Sequence, residues 1–361
     1  MSELRLMKGN EVVAEAAIRC GCDAYFGYPI TPQSEVMETL MELQPWKTTG
    51  MVVLQAESEV ASINMVYGAA SAGKRAMTSS SSPGVSLMAE GLSYLAGAEL
   101  PCLVVNVSRG GPGLGTIQPS QADYFMATKG GGHGDFHLIV LAPSSVQEMH
   151  DFVFLAFELA FKYRNPAMIL ADGVIGQMME KVALHEPLPR RTDGEIAQSE
   201  GSWAVTGKRN RRRNIITSVE LDPAMHEKFN QKLQAKYAEI REKEVRYEEL
   251  LCDDAEYLIA AYGISARIGQ KAVELLRAEG VKAGLFRPIT LYPFPTNEIA
   301  NRARQLKGIL CVELSAGQMI EDVRLSVGNL LPVAHFGRNG GIIHSPSEVV
   351  AALKKLKASC E

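Results

Sequence analysis

Short apolar runs alternate with helix-length stretches along most of this chain, and that alternation constrains its fold more than any other feature. Residues 102–107 read CLVVNV, 138–141 read LIVL and 167–170 read AMIL. Strands apolar on both faces belong in a parallel sheet covered by helices. Helical patterns are predicted over 9–20, 32–43, 57–72, 85–98 and 145–161, with further strands at 24–26, 51–54 and 75–78. The helix over 32–43 is expected to start after Thr31 as N-cap, with Pro32 at its first position.

The pattern lapses after about residue 180. Residues 181–222 are polar and carry Pro and Arg without a clean period. Phe229, Leu233, Tyr237, Ile240, Tyr247 and Leu251 then recur mostly every three or four residues, which predicts one long amphipathic helix. From 255 the alternation restarts. Strands are predicted at 257–262, 282–286, 309–312 and 333–336, and helices at 266–278, 297–306, 319–327 and 347–356. The chain therefore divides into 1–180, a linker over 181–254 and a second α/β unit over 255–361. That suits 361 residues at about 150 per domain.

Composition excludes several classes. Lys+Arg 37 against Asp+Glu 41 leaves a net charge of -4, unlike the clearly basic balance of a general nucleic-acid binder. Hydrophobic residues at 46% and charged residues at 22% exclude wholesale disorder. The best apolar stretch, 152–161, is short and carries Glu158, so no membrane span is expected. MSELRLMKGNE has no apolar signal core, so the expected compartment is the cytoplasm, with cysteines reduced. Cys20, Cys22, Cys102, Cys252, Cys311 and Cys360 offer one C-x-C and no second pair. That is not the spacing of a zinc or iron–sulfur site, and no metal ligand is expected. Lys208 to Arg213 (KRNRRR) reads either as an anion or nucleic-acid patch or as a solvated loop or subunit-facing edge; no aromatics interleave the charges, which favours the latter.

Three segments fall where ligands gather in open α/β sheets, beyond the carboxyl ends of strands, and a further Gly-rich loop stands apart from them. GYPITP (27–32) is either an anion-attracting helix start, with Thr31 as an extra donor, or simply a capped helix. QAESE (55–59) sets Glu57 and Glu59 around a helix start, as reacting carboxylates or as dipole partners. SRGGPGLGT (108–116) follows a buried strand; Gly110 and Gly111 allow close approach, and Arg109 could clamp a carboxylate. It fits neither a phosphate loop nor a dinucleotide fingerprint. KGGGHGDFH (129–137) places His133 among glycines, as a mobile active-site wall or a plain turn.

Together, GYPITPQSE, AESE with Gly68 nine residues after Glu59, and VSRGGPG resemble the α subunits of 2-oxoacid:ferredoxin oxidoreductases, which are thiamine-diphosphate enzymes. The resemblance covers nearly the whole chain. RGGPGLGTIQPSQADY, KGGGHGDFHLIVLAP and GRNGGIIHSP resemble most closely the branch acting on 2-ketoisovalerate (3-methyl-2-oxobutanoate). It implies a pyrimidine-binding-type domain over 1–180, the linker, and a transketolase-C-terminal-like domain over 255–361.

It also implies roles. Glu59 resembles the glutamate that hydrogen-bonds the aminopyrimidine and promotes the tautomer that accepts a proton from the thiazolium carbon. Such a role asks for a carboxyl group in an apolar pocket. Glu57 is the rival by spacing; the small-residue helix directly after Glu59 favours the latter. Thr31 and Arg109 resemble the residues that hold the 2-oxoacid carboxylate, and Tyr28, Pro29 and Ile30 line the cofactor. Gly110, Gly111 and His133 are candidate walls. The family's diphosphate half carries G-D-G and a later Asn for Mg2+. The nearest string here, ADGVIG (171–176), begins with Ala and lacks that Asn, so Asp172 reads as a strand-end residue. The expectation is half a cofactor site, completed by a β subunit, with Mg2+ and iron–sulfur clusters on partner chains. Those partners are the β subunit and the γ and ferredoxin-like δ subunits, with ferredoxin and coenzyme A as co-substrates. Rival readings are the same chemistry on 2-oxoglutarate or pyruvate, and a non-catalytic scaffold binding nucleic acid through Lys208 to Arg213.

Overall fold

A computed structural model describes residues 3–207 and 211–360. In chain order the elements are β1 (Glu3–Lys8), α1 (Gly9–Arg19), β2 (Ala24–Gly27), α2 (Ser34–Leu43), α3 (Pro45–Thr48), β3 (Val52–Gln55), α4 (Glu59–Ser71), β4 (Ala76–Ser80), α5 (Ser82–Leu87), α6 (Ala89–Gly97), β5 (Cys102–Ser108), α7 (Tyr124–Thr128), β6 (Ile139–Leu141), α8 (Val146–Tyr163), β7 (Pro166–Asp172), α9 (Gly173–Gln177) and β8 (Met179–Leu184). The rest follow as α10 (Asp193–Ser199), α11 (Pro223–Lys243), β9 (Tyr247–Leu250), β10 (Tyr257–Ala261), α12 (Gly263–Ala278), β11 (Ala283–Pro288), β12 (Thr290–Tyr292), α13 (Thr296–Ala303), β13 (Gly308–Glu313), α14 (Met319–Val327), β14 (Val333–Gly337) and α15 (Pro346–Cys360).

The larger sheet runs β12-β6-β7-β5-β4-β2-β3 and is parallel apart from β12. Every residue of β4, β5 and β7 is buried, as expected of strands covered on both faces. Helices α1, α2 and α8 pack together, as do α4, α5 and α6. The smaller sheet runs β14-β13-β10-β11-β9, parallel except for β9.

Three features depart from the sequence reading. The segment 223–251 is not one helix: α11 ends at Lys243, and Tyr247 begins a strand antiparallel to β11. The chain turns at Glu244, whose buried carboxylate takes bonds from Lys162, Tyr163 and Arg246. The expected linker thus gives a strand to the second sheet, and residues 290–292 return to pair with β6 of the first. Helix α2 starts at Ser34 with Gln33 as its N-cap residue, so Thr31 does not cap it. The Pro32 carbonyl is instead claimed by the side-chain amides of Asn10 and Gln177, at 2.6 and 3.0 Å, which keeps residues 31–33 in a turn. Among the described residues no helix is long and apolar enough to cross a membrane.

Candidate active site

Because β3, β2, β4 and β5 are parallel neighbours, their carboxyl ends share one sheet edge. The chain passes from β2 outward to β3 and then back to β4 on the other side of β2, the kind of switch point where α/β sheets bind ligands. Four segments meet there: the GYPITP turn, the AESE helix start, the turn 80–84 and Arg109.

Glu59 is the first residue of α4 and is buried, whereas Glu57 is exposed. Ser58 is the N-cap and accepts from the Ala61 N–H, which turns Glu59 inward. Its carboxylate lies against Gly84: a Cβ there would sit 2.7 Å from Glu59 Oε1 and 2.1 Å from Ser80 Oγ. The buried hydroxyls of Ser80 and Ser81 have no hydrogen-bond partner among the described residues.

Arg109 directly follows β5 and is 8% exposed. Its backbone N–H donates to Ser82 Oγ at 2.9 Å, on the same turn that carries Gly84. Ser82 in turn donates to Asp123, as does the Asn106 side chain. Burial pushes the Asp123 carboxyl above its ordinary range despite those donors. The guanidinium donates through Nη1 to the Thr31 carbonyl at 2.9 Å and through Nη2 to the Leu114 carbonyl at 3.1 Å. Arg109 Nε is buried without a partner. Of five N–H groups, two are spent on the chain itself and three remain for a ligand. Thr31 itself is exposed, with Tyr28 and Ile30 half-buried and Pro29 exposed beside it. Gln33 braces the turn: its N–H donates to the Ile30 carbonyl, its amide reaches the Tyr28 carbonyl, and Ser79 donates to its Oε1.

Within the glycine loop Gly115 requires glycine, with φ +57° and a Cβ that would meet the Gly110 carbonyl oxygen at 1.8 Å; at Gly110 a Cβ would meet Thr116 Cγ2 at 2.6 Å, and Gly111 is open to solvent. The loop is anchored to the second unit by Gln121, which sequence reasoning missed. Its amide donates to the Tyr262 carbonyl, and its Oε1 accepts from Ser265 and the Leu314 N–H. Asp172 lies beside it as the end of β7, as expected. It caps α9 and accepts from the Ile264 N–H of the second unit.

His133 does not join this group. Its carbonyl accepts from Ser93 and its ring stands edge-on to Tyr94. It lines a cavity of about 240 Å³ with His226, Phe229 and Leu233 of α11. Gly132 packs on Ala89 and Ser93 of α6, which draws the loop along that helix.

All six cysteines are free. Burial pushes the Cys20 and Cys102 thiols up to about 12, so they resist the deprotonation that metal binding needs. Among the described residues one group, His150, Asp151 and His185, brings three candidate ligand atoms together. The His185 backbone N–H donates to His150 Nε2, which places the His150 proton on Nδ1, facing Asp151. In the trio the Asp151 carboxylate stands 3.0 Å from both His150 Nδ1 and His185 Nε2. Of the basic segment, Lys208, Arg209 and Asn210 lie outside the described residues. Arg211 ties its own loop down through the Ala204 carbonyl and Thr206.

Comparison with known proteins gives a coherent picture. A family model described as pyruvate flavodoxin/ferredoxin oxidoreductase, thiamine diphosphate-binding, matches residues 15–249, and one for pyruvate:ferredoxin oxidoreductase core domain II matches 255–349. The chain is 50% identical over 353 residues to a ketoisovalerate oxidoreductase subunit VorB of Methanothermobacter thermautotrophicus, covering 98% of this chain and 97% of that one. It is 34% identical to a 2-oxoglutarate synthase subunit KorA of Methanothermobacter marburgensis, covering 99% and 100%. The solved 2-oxoglutarate:ferredoxin oxidoreductase from Magnetococcus marinus, with 2-oxoglutarate, coenzyme A and succinyl-CoA bound, matches with TM-score 0.87 at 28% identity. That match covers 98% of this chain, which spans 65% of the solved one. A split-gene transketolase shares the fold, with TM-score 0.60 at 15% identity and 97% of each chain covered.

Proposed function

The chain belongs to the 2-oxoacid:ferredoxin oxidoreductase family, and on that premise we propose that it is the α-type subunit of an enzyme that oxidatively decarboxylates 3-methyl-2-oxobutanoate to acyl-coenzyme A, CO2 and reduced ferredoxin. The observation that carries the site is the Arg109 guanidinium, held at the sheet edge with its Nε unpaired. The 50% identity to a ketoisovalerate oxidoreductase subunit, against 34% to a 2-oxoglutarate synthase subunit, supports the branched-chain substrate.

The residues fit the aminopyrimidine end of thiamine diphosphate. Gly84 leaves free the space a Cβ would fill beside Glu59, and Ser80 and Ser81 present unpaired hydroxyls nearby. When bound, that cofactor supplies the nucleophilic carbon and electron sink for decarboxylation. With that cofactor bound, Glu59 would face the ring nitrogen and exchange a proton with it, and Tyr28, Pro29 and Ile30 would line the ring. Arg109 takes the 2-oxoacid carboxylate, with Thr31 alongside, and so fixes the carbonyl for attack. Gly110 and Gly111 let the substrate approach the backbone.

The diphosphate and Mg2+ fall to a β subunit. Asp172 is unsuited to them: it is fully buried and its two oxygens accept from the Val174, Ile175 and Ile264 N–H groups. We place the iron–sulfur clusters on γ and ferredoxin-like δ subunits, since five of the six thiols here are buried. Free cysteines suit the cytoplasm. A panel of 2-oxoacids on the complex co-expressed with its partners tests the reading. We expect kcat/KM for 3-methyl-2-oxobutanoate to exceed that for 2-oxoglutarate by about tenfold or more, and the chain alone to be iron-free and inactive. Preference for 2-oxoglutarate, or turnover by the lone chain, would refute it.

A further inference from the structure

The Thr31–Pro32 turn that meets Arg109 is itself gripped from behind by three side chains outside the site. Asn10, on the first turn of α1, is wholly buried. Its Nδ2 donates to the Pro32 carbonyl at 2.6 Å and to Glu35 Oε2 at 2.9 Å. Gln177, the last residue of α9, makes the mirror pair: its Nε2 donates to the Pro32 carbonyl at 3.0 Å and to Glu35 Oε1 at 2.7 Å. Two amides thus share one carbonyl and one carboxylate. Gly176 makes room for the arrangement, since a Cβ there would sit 2.7 Å from Asn10 Oδ1.

We propose that Asn10, Glu35 and Gln177 form a positioning clamp that sets the Thr31 carbonyl against Arg109 and so tunes binding of the 2-oxoacid carboxylate. This rests on the reading that Arg109 holds that carboxylate. The clamp fixes Pro32, and the preceding carbonyl, Thr31, accepts Arg109 Nη1 at 2.9 Å. A guanidinium with one Nη pinned presents its remaining N–H groups in a fixed direction. Burial works against the charge on Glu35, but the Gln177 and Asn10 amides and Lys8 outweigh it and hold the carboxyl below its ordinary range. Both its oxygens therefore serve as acceptors at neutral pH. None of the three residues touches the guanidinium, so they are positioning residues.

The test uses the assembled complex. Glu35→Gln turns one acceptor into a donor that faces an amide donor; Gln177→Leu removes one arm and guards against a folding failure in the first variant. Each should raise the KM for the 2-oxoacid about 3- to 10-fold, the factor expected from one or two neutral hydrogen bonds. The kcat should stay within about twofold, and the KM values for coenzyme A and ferredoxin should not move. In an Arg109→Lys background the same substitutions should add little, because the group they orient is gone. Unchanged KM in both single variants, or full additivity with Arg109→Lys, overturns the clamp. If Arg109→Lys alone leaves the KM untouched, the carboxylate reading falls and the clamp falls with it; if it raises the KM while the clamp variants do not, only the clamp fails.

Discussion

Replacing Arg109 by lysine should raise the KM for every 2-oxoacid by about 10- to 100-fold and leave the rest of the kinetic profile alone. The guanidinium does two jobs at once. It braces the site through the Thr31 and Leu114 carbonyls, at 2.9 and 3.1 Å, and it keeps three N–H groups for a ligand. A lysine ammonium has three donors in all and no planar fork. It cannot hold both carbonyls and still present two parallel donors to a carboxylate. Thr31 and Leu114 are exposed, so water can replace the lost bonds to their carbonyls and the structural cost should be small. The substrate carboxylate loses its pair of parallel donors, which an ammonium does not offer. A hydrogen bond to a charged group contributes about 1.5–3 kcal/mol, and about 1.4 kcal/mol is a factor of ten. Steady-state kinetics of the co-expressed complex, varying one substrate at a time, is the assay. Branched and straight-chain acids should suffer alike because they share the carboxylate. A variant with an unchanged 2-oxoacid KM and a raised coenzyme A KM would move Arg109 to the acyl-acceptor site and refute the assignment.

Three further outcomes follow from the same geometry. Glu59→Gln should lower turnover about 10²- to 10⁴-fold, as for other positioned proton-transfer groups, while Glu57→Gln, at an exposed position, should cost far less; the reverse order in a turnover assay would shift the assigned glutamate by two residues. Gly84→Ala brings a methyl group to 2.7 Å from Glu59 Oε1, so kcat should fall about tenfold or more, on the scale of a displaced reacting group, with the 2-oxoacid KM little changed; an undiminished kcat would show that the carboxylate need not sit where it does. Burial raises the Asp172 carboxyl from 3.8 to about 6 against three N–H donors. Folding therefore takes up a proton between these values, and stability should fall by about 2–3 kcal/mol as pH rises from 4 to 7, a slope that denaturant titration should find missing in Asp172→Asn.

Much of the sheet was legible because burial on both faces writes itself into a strand as an unbroken apolar run. All seven residues of β5 are buried, and residues 102–107 announce it. The strands that went unread lack that signature. In β1 the first four residues are exposed, so its sequence, ELRLMK, carries no run to detect. The three residues of β12 sit inside RPITLYPFP, where prolines on both sides leave no long apolar run. Their pairing with β6 lies about 150 positions away in sequence, beyond any local pattern. The overlong helix has the opposite cause. Tyr247 and Leu251 continue the three-to-four spacing of α11, but the chain stops being helical where Glu244 buries its carboxylate among Lys162, Tyr163 and Arg246. Periodicity records which side of an element faces the core and is silent about an ion cluster that bends it.

The candidate site divides along the same line. Groups that lie just beyond strand ends, Glu59 at the start of α4 and Arg109 after β5, follow from topology once the strands are placed, because parallel neighbours deliver their carboxyl ends to one edge. The choice between Glu57 and Glu59 then rests on which one the Ser58 cap turns inward. The glycine-rich loop around His133 looks mobile in sequence, and what that pattern does not show is that Gly132 lays the loop along α6. Asn10, Glu35 and Gln177 had no reason to be grouped: 25 and 142 positions separate Glu35 from its two amide partners. Yet one trace of them was available. Asn10 lies on the face of α1 that also carries Val13, Ala14 and Ala17, all wholly buried. A polar side chain in such a row must find partners or lose stability. An asparagine among buried alanines and valines therefore marks a place where another segment has to bring acceptors, and here that segment is the turn holding Thr31.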